Sequence, residues 1–346
     1  MANKINKKDV NKLLEQWAKE YAVYVPTANE DATEMAKWDG KGTSFLDWYR
    51  NTRIPAKSVL FPILEEMFHY NKDKEGYHIQ TPASSNEKKL IFGIRGCDAA
   101  ALALLDIAFK EGYEDPYYKE RRQNTLLVGM ACTKPYDTCF CTSLDSSPSD
   151  SKNVDIMLKD AGDDYVIEAI SDKGKALIGK TTGLAEANES DVAKAKAISN
   201  AAYQKVTRQV QTKDVAQKLQ AGFEDKEFWE KVSAKCISCG ICTFLCPTCF
   251  CFDITDQTEK GKSKRVRCWD SCQFSTYTKM PMENPREEKW RRVRQKVCHK
   301  YAFFPATYSN KMACTGCGRC IRLCPVNWDI TQTLSSAINK EPVEKK

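Results

Sequence analysis

The chain has 346 residues, of which 42% are hydrophobic and 29% charged, and its formal net charge is +7 at pH 7. That length is sufficient for one large domain or two ordinary ones, and the composition gives no indication of long disordered stretches. No apolar run reaches the roughly 18 residues that a membrane span needs. The lysine-rich N-terminus also lacks the apolar core of a signal peptide. We therefore expect a cytoplasmic protein that neither spans nor binds a membrane.

The first 225 residues alternate between helical and strand patterns. A helix is predicted over 9–21, and the apolar segments 88–94 and 125–131 are typical of buried strands. The helical run 98–109 lies between those strands, with Asp98 as a plausible N-cap. Strand, helix and strand at this spacing predict a right-handed βαβ unit with parallel strands.

After residue 185 the chain no longer alternates between helical and strand patterns. Residues 186–233 predict a helical connection, and cysteines dominate the C-terminal segment after it. We expect an α+β protein with two domains. Residues 1–225 would form an α/β domain with a parallel βαβ unit, and 226–346 a bacterial-ferredoxin-like domain for two [4Fe-4S] clusters with a long insertion.

The 17 cysteines are unevenly distributed, with none before Cys97 and none between Cys141 and Cys236. An odd number in a chain without a secretion signal argues against a disulfide framework, so metal binding is the leading explanation. Four thiolates around a dicationic [4Fe-4S] core carry a net charge of about −2. Two or three clusters would nearly cancel the positive charge of the chain, so its basicity does not indicate nucleic-acid binding.

Two runs, CISCGICTFLCP and CTGCGRCIRLCP, have the spacing C-x2-C-x2-C-x3-C-P. In two-cluster ferredoxins three cysteines of each run hold one cluster, and the fourth reaches the other cluster. Zinc sites use pairs of cysteines separated by a loop, which fits this spacing poorly. The predicted ligands are Cys236, Cys239, Cys242 and Cys324 for one cluster, and Cys314, Cys317, Cys320 and Cys246 for the other. Sixty-seven residues separate Cys246 from Cys314, so the module is an elaborated ferredoxin.

A third cluster is predicted in the α/β domain. Cys97 and Cys132 follow the two buried strands directly, and Cys139 and Cys141 come shortly after. The carboxyl ends of adjacent parallel strands meet at one edge of a sheet, where open sheets bind ligands. Four thiols there can enclose a cluster. The alternative is that Cys97 and Cys132 are small buried apolar residues and that the C-x-C is incidental.

Five cysteines remain. Cys249, Cys251 and Cys272 could form an extra metal site, with His299 as a further ligand, or could hydrogen-bond to ligands of a cluster or simply pack. Cys268 and Cys298 have no such pattern and are interpreted as incidental.

The order of these motifs is more specific than any one of them. GIRGCDAAALALLD, YYKERRQNTLLVGMACTKPYDTCFCTS, CISCGICTFLCPTCFC with RCWDSC, and CTGCGRCIRLCP follow one another. The combination resembles the iron–sulfur β subunit of sulfhydrogenase-type [NiFe] hydrogenases, and is similar to the anaerobic sulfite reductase subunit that is built on the same plan. The resemblance implies an electron-transfer subunit of an anaerobic hetero-oligomer. Its partners would be a flavin subunit that handles NAD(P)H and a terminal redox subunit, with the flavin in the partner only. The resemblance also supports the third cluster.

Three functional hypotheses follow from these patterns. The first is electron transfer without a substrate pocket, since the sequence has neither a dinucleotide fingerprint nor a P-loop and contains three histidines. The second is catalysis at an open-iron cluster held by Cys249, Cys251 and Cys272. The third, nucleic-acid binding by the basic runs 260–267 and 289–300, is disfavoured. These runs, including Arg291, Arg292 and Arg294, are expected instead to dock an acidic partner.

Overall fold

The computed structural model describes residues 2–30, 32–82, 86–259, 262–308 and 310–339. These residues form two sheets. The strands are β1 (Asn3–Asn6), β2 (Ala22–Ala28), β3 (Thr33–Lys37), β4 (Leu64–Lys72), β5 (Tyr77–Gln80), β6 (Lys89–Ile94), β7 (Thr125–Met130), β8 (Ile156–Asp160), β9 (Asp164–Ala169), β10 (Ala185–Glu186), β11 (Phe252–Glu259) and β12 (Lys262–Trp269).

Helices lie between the strands of the larger sheet along the chain, and further helices make up most of the second half. They are α1 (Val10–Trp17), α2 (Phe45–Trp48), α3 (Gly96–Ala108), α4 (Pro116–Gln123), α5 (Asp172–Lys180), α6 (Glu189–Gln204), α7 (Val215–Ala221), α8 (Lys226–Ser233), α9 (Ile241–Phe244), α10 (Lys289–Cys298), α11 (Phe304–Thr307), α12 (Arg319–Arg322) and α13 (Ile330–Ile338). A π-helix, His299–Phe303, joins α10 to α11, and short 3-10 helices occupy Lys7–Asp9, Ala56–Val59 and Cys141–Ser143. None of the described helices is long and apolar enough to cross a membrane.

The larger sheet has the strand order β10-β1-β9-β8-β7-β6-β2-β3. Its centre is parallel, because β6 pairs in parallel with both β2 and β7, and β7 with β8. Every residue of β6 and β7 is buried, as expected of strands covered on both faces. The predicted βαβ unit is therefore present as β6, α3 and β7.

One prediction about this unit is wrong. Asp98 is not the N-cap of α3; Arg95 holds that position, with φ −78° and ψ 149°, and Asp98 lies inside the first turn. The guanidinium of Arg95 donates hydrogen bonds to the carbonyls of Met130 and Ala131 at 2.9 and 2.7 Å. These bonds join the carboxyl ends of β6 and β7, so the loops that follow the two strands are held together.

The smaller sheet, β11-β12-β4-β5, is antiparallel and combines distant parts of the sequence. Its hairpin β11–β12 comes from the long insertion between the two cysteine runs, and β12 pairs with β4 of the N-terminal half. The insertion thus crosses the predicted boundary at residue 225 and attaches the cysteine-rich half to the α/β half. The division into two domains remains a prediction.

A second apolar core supports the cysteine runs. Trp229 of α8, Val297 of α10 and Leu334 of α13 are buried in it. The indole of Trp328 donates a hydrogen bond to the carbonyl of Val232, at 2.9 Å, so the segment after the second run is tied to α8. The helices predicted as a connection over 186–233 are present as α6, α7 and α8, and the last two pack into this core.

Candidate metal centres

The two cysteine runs have the same backbone conformation. In the first run Ser238 and Gly240 have φ values of +57° and +76°, and in the second Gly316 and Gly318 have +64° and +73°. Each final glycine is followed by a four-residue helix, α9 or α12. Residues with a left-handed backbone conformation between successive cysteines make the loop turn, so that its thiols point to one side. The internal repeat seen in the sequence is therefore also a structural repeat.

The fourth cysteine of the first run lies among the thiols of the second. Burial raises the pKa of the Cys320 thiol well above its ordinary value, and the neighbouring thiols of Cys246, Cys314 and Cys317 raise it further. Burial likewise raises the pKa of Cys317 to about 12, and Cys246 contributes. A group of four thiols so close together is the donor set that a [4Fe-4S] core requires.

The first three thiols of the first run form their own group. Burial raises the pKa of Cys236, and the adjacent thiols Cys242 and Cys239 add to the increase. The Ser238 amide donates to the Cys236 sulfur at 3.4 Å, and the Trp328 amide donates to the Cys324 sulfur at 3.1 Å. Cys236 and Cys324 both pack on the second core. Amide bonds of this kind are common at sulfurs that ligate clusters.

The four cysteines of the N-terminal half line one cavity. Cys97, Cys132, Cys139 and Cys141 surround a space of about 430 Å³, part of which is open to solvent. Burial raises the pKa of Cys141 to about 12, with Cys139 and Cys132 as further causes. Thiols this buried ionise readily only when a metal compensates the charge. The four thiols, at the carboxyl edge of the parallel strands, therefore fit the ligands of a [4Fe-4S] cluster.

The second cysteine run forms one wall of that cavity. Gly316 and Cys317 line it, and the Phe140 amide donates to the Gly316 carbonyl at 2.9 Å. The approach is close: a Cβ on Gly316 would lie 2.5 Å from the Cys141 nitrogen, and one on Gly318 would lie 2.6 Å from the Thr138 oxygen. The loop of the third group of thiols is thus in direct contact with the loop of the second run.

A buried ion pair fastens this contact. Both oxygens of Asp98 accept hydrogen bonds from the guanidinium of Arg319 at 2.7 Å, and the two side chains are 1% and 0% exposed. Asp98 follows Cys97, and Arg319 lies between Cys317 and Cys320. The pair therefore joins the loop of one predicted cluster to the loop of another.

Cys249, Cys251 and Cys272 line a second, wider cavity of about 1270 Å³, including space open to solvent. A hydrogen bond from Cys249 lowers the pKa of Cys246 well below its ordinary value. A hydrogen bond from Cys272 likewise lowers the pKa of Cys251. His299 lies on the wall of the same cavity. These thiols line one cavity, and Cys249 lies beside the predicted ligand Cys246; the extra metal site stays a prediction.

Among the described residues, no group of three or more His, Cys, Asp or Glu side chains is close enough to hold a single metal ion. A [4Fe-4S] core binds each thiolate through a different iron atom, so its ligands stand farther apart than those of one ion. The two remaining cysteines lie elsewhere: Cys268 is on β12, and Cys298 is fully buried at the end of α10.

The prediction that the basic runs form a docking surface is wrong for several of their residues. Arg292 and Arg294 are buried, with 7% and 9% exposure, and donate to backbone carbonyls. Arg267 is buried against Glu65 and Asp115. Residues 260 and 261 lie outside the described part of the chain. Arginines already paired with internal groups are unavailable to another protein.

Sequence reasoning missed three buried lysines next to the cysteine loops, Lys57, Lys296 and Lys300, which are 2%, 3% and 4% exposed. Lys296 and Lys300 were noticed only as members of a basic run, although their spacing of four residues places them on one helical face. Lys57 has no recognisable signal, because its contact with the Cys249 carbonyl spans 192 residues of sequence.

Comparison with known proteins agrees with this geometry. Residues 235–328 match the family model described as a 4Fe-4S dicluster domain. Over 315 residues the chain is 28% identical to sulfhydrogenase 2 subunit beta of Pyrococcus furiosus, covering 90% of this chain and 91% of that protein. No solved structure matches. The predicted resemblance to the iron–sulfur β subunit of sulfhydrogenases is thereby confirmed, and the chain contains a ferredoxin-like dicluster domain within a mixed α/β protein.

Proposed function

We propose that this chain is the electron-transfer subunit of a sulfhydrogenase-like complex and relays single electrons through three [4Fe-4S] clusters. One observation carries the proposal: Cys317 of the second run lines the cavity formed by Cys97, Cys132, Cys139 and Cys141. Electron transfer between clusters requires them to be close. The adjoining thiol groups supply that proximity between the α/β half and the dicluster half.

The three groups of thiols succeed one another through the protein. Cys317 of the second run lines the cavity of the N-terminal group. Cys246, the last cysteine of the first run, lies beside the thiols of the second run and so connects the two runs. Held by these thiolates, [4Fe-4S] clusters would each accept and release one electron. The ligand sets proposed for the dicluster domain are the cross-paired ones: Cys236, Cys239, Cys242 and Cys324, and Cys314, Cys317, Cys320 and Cys246.

The protein's own residues would hold the clusters and limit their contact with water. Buried side chains surround Cys246 and Cys141, and the amides of Ser238 and Trp328 donate to ligand sulfurs. Burial and hydrogen bonds to sulfur are the means by which proteins adjust the potential of a cluster.

The relay has an accessible terminus at each end. Cys239 of the first run is exposed, and the cavity of the N-terminal group is partly open. We propose that one end docks a flavin subunit reactive with NAD(P)H and the other docks a terminal redox subunit, in a cytoplasmic hetero-oligomer of anaerobic metabolism. Flavin is expected only in the partner subunit.

Metal analysis of anaerobically purified protein tests the proposal. Three clusters predict about 12 iron and 12 acid-labile sulfide atoms per chain. About eight iron atoms, unchanged in a Cys97→Ser variant, would contradict the third cluster. About 16 iron atoms, reduced in a Cys272→Ser variant, would indicate a fourth cluster at Cys249, Cys251 and Cys272.

A second candidate function is catalysis at that fourth site. The observation that favours it is the cavity lined by Cys249, Cys251 and Cys272, which is large enough to admit a small molecule beside the thiols. Three thiolates would leave one iron without a protein ligand and open to a substrate. A substrate-dependent change in one electron paramagnetic resonance (EPR) signal of the reduced subunit would favour this function over a pure relay.

A further inference from the structure

Three lysine ammonium groups are buried among the cysteine loops of the dicluster half. The Nζ atom of Lys300 donates to the Cys246 sulfur at 3.2 Å, to the Thr248 hydroxyl at 2.8 Å and to the Ala313 carbonyl at 3.0 Å. Lys296 Nζ donates to the Cys242 carbonyl at 2.6 Å. All of these contacts are to cysteines of the runs or to residues beside them.

None of the three ammonium groups has a carboxylate within salt-bridge distance among the residues that the structure describes. Arg319 and Arg267, buried in the same protein, are both paired with acids. Buried Arg95 has four backbone carbonyls as partners instead, whereas Lys296 donates to one. A buried charge without a counter-charge is strongly unfavourable. The lysines therefore need an anion that is not an Asp or Glu side chain.

The arrangement of Lys296 and Lys300 strengthens this requirement. They are four residues apart at the junction of α10 and the π-helix His299–Phe303, so their side chains leave the same face of the helix. Two like charges at this spacing repel each other. Both contact cysteines of the first run, Lys300 at the Cys246 sulfur and Lys296 at the Cys242 carbonyl, and these two cysteines belong to different predicted clusters.

Lys57 contacts the segment just after the first run and differs in its surroundings. Its ammonium group is 4.0 Å from the centre of the Trp269 ring, and it donates to the Cys249 carbonyl. An aromatic face can compensate part of a cation's charge. Lys57 is thus less dependent on an anion than Lys296 and Lys300.

We propose that Lys296 and Lys300 are fixed counter-charges of the two ferredoxin-type clusters and raise their reduction potentials. The proposal rests on the proposed function, since it assigns the cluster charge as the missing anion. One-electron reduction takes a four-thiolate [4Fe-4S] centre from about −2 to about −3. An ammonium group held against a cluster ligand, at the Cys246 sulfur for Lys300 and at the Cys242 carbonyl for Lys296, stabilises the reduced form more than the oxidised form. Lys300 acts on the cluster that contains Cys246. Lys296 lies near Cys242 and also near Cys320, so it acts on both clusters.

Potentiometric titration monitored by EPR tests the proposal on the holoprotein. Lys300→Met should lower the potential of one ferredoxin-type cluster by at least a tenfold change in its one-electron equilibrium constant, which is about 59 mV. Lys296→Met should lower the potential of the other cluster by as much and, because Lys296 also lies near Cys320, should lower the potential of the Cys246-containing cluster as well. Lys311→Met removes one positive charge from an exposed position just before the second run and should leave both potentials within a threefold change in that constant.

Each possible result of this titration supports or overturns the role of the two lysines as counter-charges. Unchanged potentials in both lysine variants, with full iron content, would overturn the counter-charge role while leaving the relay intact. Too little iron in the wild-type protein would instead overturn the proposed function itself. If Lys300→Met incorporates no cluster, Lys300→Arg decides: clusters retained at the wild-type potential support a requirement for charge, and their loss overturns it.

Discussion

Arg319 is a completely buried guanidinium, and Asp98 neutralises it. The two residues are 221 positions apart in sequence, so no local pattern connects them. Asp98 belongs to the GCD motif and Arg319 to the GRC segment of the second run. Sequence reasoning placed Asp98 at a helix cap. The structure shows that its carboxylate is the counter-charge that joins two cysteine loops.

Breaking this pair should be strongly destabilising, because one charge would remain buried without a partner. Asp98→Asn is expected to lower the free energy of unfolding by about 3–5 kcal/mol. Chemical denaturation under anaerobic conditions, followed by circular dichroism, measures the change.

The exposed pair Asp256 and Arg265 provides the control, with side chains 39% and 43% exposed. Asp256→Asn should cost less than about 1 kcal/mol, since water screens exposed pairs. Equal effects of the two substitutions would contradict a structural role for the buried pair.

At the scale of elements, the glycines of the second run determine how closely two loops can approach. Gly318 and Gly183 both have left-handed backbones, with φ +73° and +81°. A Cβ on Gly318 would meet the backbone of Thr138, whereas one on Gly183 would meet nothing within 4 Å. The two positions therefore separate the cost of backbone strain from the cost of a steric clash.

Alanine at these positions should have different effects. Gly183→Ala is expected to cost about 1–2 kcal/mol from the left-handed conformation alone. Gly318→Ala should cost about 1–3 kcal/mol more, because it pushes the second run away from residues 138–141. It should also reduce the iron content by up to one cluster.

Thermal denaturation and iron analysis of both variants measure these effects. If Gly318→Ala kept its full iron content and matched Gly183→Ala in stability, the close contact between the loops would be unimportant for cluster binding.

Elements of the parallel unit were predictable because their signals are local. β6 and β7 are apolar at nearly every position, and α3 follows as an uninterrupted helical run. The pairing of β12 with β4 was not predictable, because it depends on a register between segments about 200 residues apart. Arg267 of the hairpin was misinterpreted for the same reason, because it faces Glu65 inside that sheet.

For the molecule as a whole, the proposed relay predicts that cysteines at different points are equally essential. Cys239→Ser and Cys317→Ser in the purified complex should each abolish electron transfer from one partner subunit to the other. Reactions of the individual partner subunits with artificial dyes should remain intact. Assays of both activities on each complex distinguish a broken relay from a damaged partner.

Cys268→Ser is the matched control, since Cys268 lies on β12 outside the proposed ligand groups. It should retain both activities. Retained end-to-end transfer in Cys239→Ser or Cys317→Ser would contradict the proposed path.

The cysteine spacings by themselves predict the chemistry of this protein, because three ligands of each ferredoxin-type cluster lie close along the chain in one loop. Local patterns also predicted the parallel βαβ unit and the resemblance to sulfhydrogenase β subunits. The relation between the thiol groups, in contrast, emerges from the packing of the two halves. The contact of Cys317 with the N-terminal cavity, the Asp98–Arg319 pair and the burial of Lys296 and Lys300 all join residues from separate loops. Such contacts depend on how distant segments meet in space, which no local spacing encodes.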